Sequence, residues 1–258
     1  MKKLFSLCVV TLSMGSLGGF ASAQEWGTLE GSFVLQGEAP APAPIAVDKD
    51  KQFCGAFGLV DESLVVDKRG RIQNVFVYLR TEPTAVHPDY EKTANEEVVL
   101  DNQKCRFEPH AMTVRAGQPV RLKNSDAVGH NVKMDLIANN SINPLIPANG
   151  SMIQKFDQKE IVPLPASCSI HPWMLGYVLI RDNPYMAVSD DRGGFEIENL
   201  PVGEHTFQVW QEKSGFVQDV VLDGKETKWE KGRFTITIKP GKNDLGKIEI
   251  PLAAFQKN

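Results

Sequence analysis

The sequence predicts an all-β protein, a Greek-key sandwich followed by a second, smaller β-sandwich, and three observations predict it. Short runs of β-branched and aromatic residues recur through the 258 residues. Turn signals rich in Gly, Asp and Asn separate those runs at close spacing. No long helix is expected, because Gly or Pro interrupts nearly every candidate window.

The first element reads as an export signal. Lys2 and Lys3 precede an apolar stretch from Leu4 to Leu17, and Ala21-Ser22-Ala23 supplies a small-residue cleavage pattern. The stretch is short for a bilayer, which needs about 20 apolar residues. Cleavage after Ala23 leaves Gln24 first, and a retained anchor is the alternative. No later run suggests a membrane span. Losing Lys2 and Lys3 takes the formal charge from −4 to −6. That mild acidity argues against a nucleic-acid partner, which favours a basic face. A periplasmic or secreted location is expected.

The strands then follow in order. Leu29–Leu35 has strand character and leads into the Pro/Ala-rich link Ala39–Pro44. Ser63–Val66 and Ile72–Leu79 flank Asp67-Lys68-Arg69-Gly70, a hairpin signature. Residues 81–96 are polar and loop-like. Met112–Arg115 and Pro119–Leu122 bracket a turn at Ala116-Gly117, and His130–Met134 alternates like a strand. Residues 138–150 read as a loop, with strands expected at 152–156 and 176–181. Past Asp182 come strand signals at Met186–Val188, Phe195–Ile197, His205–Trp210, Phe234–Ile238 and Lys247–Ile250. The expected division is signal 1–23, an N-terminal β segment 24–104, a core domain 105–182 and a small sandwich 183–258.

Cysteine counting gives the first chemical clue. With Cys8 in the signal, Cys54, Cys105 and Cys168 remain, and an odd cysteine in an exported protein calls for a role. Cys168, His171 and Met174 fall within seven residues, and His130 heads a strand upstream. One thiolate, two imidazoles and a weak axial thioether form the ligand set of a mononuclear electron-transfer copper site. Zinc is the rival, but it favours Cys, His and carboxylates over Met. Pro172 stiffens the loop by fixing its own φ and restricting His171.

The motif Cys168-Ser169-Ile170-His171-Pro172-Trp173-Met174, preceded by His130-Asn131, resembles the cupredoxins, in particular the short amicyanin-like copper loop. Gly117-Gln118-Pro119-Val120-Arg121-Leu122-Lys123-Asn124 is similar to the family's strand before the first ligand. The match covers about residues 105–182. The resemblance implies a Greek-key cupredoxin fold with one copper ion cycling between Cu(II) and Cu(I). It implies His130, Cys168 and His171 as equatorial ligands, Met174 as axial ligand, and Asn131 as the residue tying the ligand loops together. It also implies an exposed His171 edge, with Pro172 and Trp173 completing an apolar electron-transfer surface; burial of Trp173 is the alternative. Plain core packing is the alternative for Met174, and Met134 competes for its place but sits on a strand.

The motif lacks a second Cys, as a binuclear centre needs. Ser169 stands where multicopper oxidases and copper nitrite reductases carry a His. The expectation is therefore an exported blue copper carrier of single electrons between a donor and an acceptor redox protein, not an enzyme. Copper sequestration or delivery is the alternative. A third reading is a binding module without metal, with purely structural cysteines. Export and a free Cys168 favour a Cys54–Cys105 disulfide; the alternative pairs Cys168 with one of them. His87, His110 and His205 read as structural, with His110 the one to watch. Separately, Asp190–Gly203 resembles the Asp-x-x-Gly-x-Phe…Leu-Pro-x-Gly signature of carboxypeptidase regulatory-like (transthyretin-like) sandwiches. The mature N-terminus could join that same sandwich, with the copper domain inserted.

Overall fold

A computed structural model describes residues 24–256, so the expected signal at 1–23 lies outside the described residues. Strands in several sheets dominate, and the two α-helical segments, Lys51–Cys54 and Asp89–Thr93, are each about one turn. The fold is all-β, as the turn-punctuated sequence requires.

Two apolar cores organise the chain. One is built from Leu29, Phe33, Leu35 and Ile72–Leu79 residues together with side chains from Tyr185 to Phe255. Its first sheet orders Gly194–Pro201, Trp26–Gln36, Gly241–Pro251, Asp219–Leu222 and Lys225–Lys228 side by side. The Trp26–Gln36 strand runs antiparallel to Gly194–Pro201 and parallel to Gly241–Pro251. Its second sheet places Phe76–Leu79 between Met186–Val188 and Gly203–Gln211. The Trp26–Gln36 strand thus pairs with strands that follow residue 183. Segment 24–104 is shared between the two cores, which differs from the expected joining of that whole segment to 105–182.

The second core runs from Cys54 to Ile180 and holds Phe107, Val114, Leu122, Val132, Met134, Cys168 and Met174. One of its sheets orders Leu164–Ser167, Leu175–Arg181 and Ala111–Arg115; the other orders Arg106–Glu108, Val98–Gln103, Val120–Asn124 and Ser151–Gln154. His130–Asn131 pairs with Leu145–Ile146. A third cluster, Phe76, Tyr78, Ala111 and Leu179, packs the two halves together. Buried Arg181 crosses the same junction, donating to the Leu79 and Glu160 carbonyls. The expected hairpin at 67–70 shrinks to a single bridge, Val66 to Ile72. Among the described residues no helix is long and apolar enough to cross a membrane.

Candidate metal centre

The site is built from two turns brought together by the second core. Val120–Asn124 ends on buried Asn124, whose side-chain amide donates to the carbonyls of Val128, Ile146 and Pro147 at 2.8–3.1 Å. Its Oδ1 accepts from the Asp126 amide at 3.0 Å. These bonds curl residues 124–129 into a compact turn that delivers His130 to the interior. Opposite, residues 168–174 close on themselves: Cys168 N–H donates to the Met174 carbonyl at 3.2 Å and Met174 N–H to the His171 carbonyl at 2.9 Å. The following strand starts at Leu175, and Gly176 is needed there. A Cβ on Gly176 would stand 2.9 Å from the His110 carbonyl.

Asn131 joins the two turns. Its Oδ1 accepts from Ser169 N–H at 2.8 Å and Ile170 N–H at 3.3 Å, and its Nδ2 donates to Asn143 and Ser169 Oγ. The Asn131 amide points at Cys168 Sγ at 3.5 Å.

Three donor atoms converge. Cys168 is free and buried, and the Nδ1 atoms of His130 and His171 lie 3.9 and 3.8 Å from its sulfur. All three groups sit within 4.8 Å of one another. Both imidazoles are fully buried, with ring centroids 4.5 Å apart. Bonds of about 2.0 Å to nitrogen and about 2.3 Å to sulfur, meeting at about 120°, would separate N from S by about 3.7 Å. The spacing of this soft N₂S set therefore fits a trigonal ion such as copper. Met174 is buried in the same core.

Each imidazole is gripped from behind by a carboxylate. His130 Nε2 lies 2.9 Å from Asp126 Oδ2, and His171 Nε2 lies 2.8 Å from Asp50 Oδ2. A carboxylate at Nε2 keeps a proton there, so Nδ1 is the ring atom turned to the sulfur, the position where a proton and a metal ion compete. Asp126 is itself held by the Lys104 and Cys105 amides at 2.6 and 2.7 Å. Burial works to raise the Asp126 carboxyl, but His130 and the two amides hold it below its ordinary value. Burial likewise opposes charge on His130, yet Asp126 and the Cys168 sulfur raise it to about 8. For Cys168 burial pushes up, and bonds from His130, the Asn131 amide and His171 prevail, bringing it down to about 6. At neutral pH the metal-free site is thus a thiolate facing an imidazolium.

The expected Cys54–Cys105 disulfide is present. The expected exposed edge of His171 is not: the side chain is 0% exposed, because Asp50 covers Nε2. Pro172 is exposed, whereas Trp173 is half-buried and donates its indole N–H to the Cys105 carbonyl at 3.2 Å. Met134 lies in the core. His110 lies outside the cluster, its Nε2 2.6 Å from Glu212 across the junction between the two halves. Asp50 and Asp126 are the residues that sequence reasoning missed. Asp126 carried a weak signal, four residues before His130; Asp50 is 121 residues from His171 and carried none.

No protein-family model matches the chain, and no curated protein matches it. Among solved structures the chain is similar to amicyanin from Paracoccus versutus, at 19% identity and a TM-score of 0.30, over 40% of this chain and 96% of that one. It is similar to a purple cupredoxin from Nitrosopumilus maritimus, at 21% identity and 0.27, over 33% and 97%. It is also similar to a copper-containing nitrite reductase from Thermus scotoductus, at 18% identity and 0.31, over 40% and 25%.

Proposed function

We propose that this chain is an exported mononuclear type 1 copper protein that carries single electrons between a donor and an acceptor protein. The observation that carries the reading is the convergence of two buried imidazole Nδ1 atoms on one buried, free thiol of lowered pKa. Copper bound there supplies one-electron chemistry, alternating between Cu(II) and Cu(I). His130, Cys168 and His171 would hold it, with the Met174 thioether as the further donor. Buried surroundings exclude water, and the carboxylates behind both rings fix their orientation, so the cage changes little between oxidation states. No second metal-binding set that would bind a substrate accompanies the site among the described residues: the other grouping, Cys105, Asp126 and His130, has its cysteine in a disulfide.

The test is to add Cu(II) to the protein lacking residues 1–23 and record visible and paramagnetic-resonance spectra. An intense thiolate-to-copper band that vanishes in Cys168→Ser is expected. A pale, ordinary copper spectrum sinks the proposal. Reversible electrochemistry then separates a carrier from a sequestration or delivery protein, which would hand copper to a chelator or acceptor instead.

A further inference from the structure

Asp50 sits at the N-cap of the one-turn Lys51–Cys54 helix with φ 42° and ψ 43°, a left-handed conformation uncommon outside Gly, Asn and Asp. Asp is a preferred N-cap residue because its carboxylate can accept from the first helical amides. Here no side-chain cap bond is made. The carboxylate instead reaches His171 Nε2 at 2.8 Å. An uncommon backbone conformation and an unmade local cap bond accompany one long-range contact, a pattern concentrated at functional sites.

The same disulfide reaches both carboxylates. Cys54 ends the helix that Asp50 begins, and its amide donates to the Asp50 carbonyl at 2.9 Å. Its partner Cys105 supplies one of the two amides that hold Asp126, and Lys104 and Cys105 both have positive φ, 54° and 55°. One cross-link therefore joins the anchor of His171 to the anchor of His130. We infer that Asp50, delivered by the Cys54–Cys105 cross-link, is a positioning residue of the metal centre. It fixes the His171 ring with Nδ1 toward Cys168 and closes the ring's outer edge to water. The inference deepens the copper reading and rests on it for its redox consequence, but the ring's orientation is a property of the metal-free protein.

Two consequences follow. A carboxylate behind an imidazole makes it a more basic ligand, which favours the more highly charged oxidised ion. A closed edge also prevents His171 from rotating out to release the ion. The expected outcomes are separable. In the metal-free protein, nitrogen-15 NMR should find His171 as the Nε2–H tautomer, and Asp50→Ala should speed exchange of that proton by at least about tenfold. In copper-loaded protein, Asp50→Asn keeps an acceptor but removes charge. It should lower the Cu(II)-over-Cu(I) affinity ratio by about tenfold, a rise of about 59 mV. Asp50→Glu should recover part of that shift. Asp50 is 43% exposed, so these variants should fold. A His171 tautomer and exchange rate unchanged in Asp50→Ala overturn the inference. A wild-type protein that shows no thiolate-to-copper band instead defeats the proposed function, while the metal-free NMR result still decides the role of Asp50.

Discussion

At the scale of single residues, the metal-free centre already holds positive charge where an ion would sit. The Cys168 thiol at about 6 and the His130 imidazolium at about 8 give a thiolate–imidazolium pair at neutral pH. A metal needs both groups deprotonated, so protons compete with it and affinity must rise with pH. Between about pH 6 and pH 8 the thiol has lost its proton and His130 has not, so one proton leaves on binding. Affinity should then climb about tenfold per pH unit, flatten above about pH 8, and fall more steeply below about pH 6 as the thiol reprotonates. Titration with Co(II), whose visible bands report thiolate ligation, checks this. An affinity flat from about pH 6 to pH 8 contradicts the assignment of His130 as a ligand.

At the scale of elements, legibility followed sequence distance. Cys168, His171 and Met174 lie on one loop, so their chemistry is visible in a seven-residue window. His130 became interpretable only beside that loop. Asp50 was invisible because it stands in the run Asp48-Lys49-Asp50-Lys51, which reads as a solvated charged stretch. Its role depends on a cross-link and a packed core, not on neighbours. Among strands, Leu164–Ser167 was missed because Pro165 argues against a strand; it lies on a sheet edge, where a missing N–H costs nothing. Val98–Gln103 was missed because only its first half is apolar.

The tight turn at Asp190–Gly194 was legible because its chemistry is local, but the strands it joins, Met186–Val188 and Gly194–Pro201, lie in different sheets and do not pair as a hairpin. Asp190 Oδ1 accepts from the Arg192 and Gly194 amides at 2.8 Å each, and Gly193 turns at φ +69°. A Cβ on Gly193 would stand 2.6 Å from the Phe33 carbonyl, so the turn packs closely on the Trp26–Gln36 strand. Gly193→Ala should therefore cost more than about 1 kcal/mol in a denaturant titration. The copper spectrum should stay unchanged, because Gly193 abuts the other core. A neutral substitution would mean that the turn does not press on that strand.

At the scale of the whole molecule, the first and last strands of the described residues, Trp26–Gln36 and Gly241–Pro251, pair in one sheet, and the core that holds the candidate metal centre lies between them in sequence. Seven buried side chains of the first core, Leu29, Phe33, Leu35, Ile72, Val75, Val77 and Leu79, come from before residue 80. At about 1.5–3 kcal/mol each, their burial contributes roughly 10–20 kcal/mol, as much as the entire stability of an ordinary domain. The strand Trp26–Gln36 also lies between Gly194–Pro201 and Gly241–Pro251, so both would lose a hydrogen-bonded neighbour without it. Residues 183–256 alone should consequently remain unfolded, with poorly dispersed amide resonances. Leu79 N–H donates to the Tyr185 carbonyl at 2.9 Å, so the two ends of the intervening segment are adjacent. Replacing residues 81–182 with a short Gly/Ser linker should then restore a dispersed spectrum. Solubility should fall, because Phe76, Tyr78 and Trp210 lose their cover from Ala111, Tyr177 and Leu179. A well-folded 183–256 fragment would refute an inserted arrangement and make the C-terminal sandwich self-sufficient.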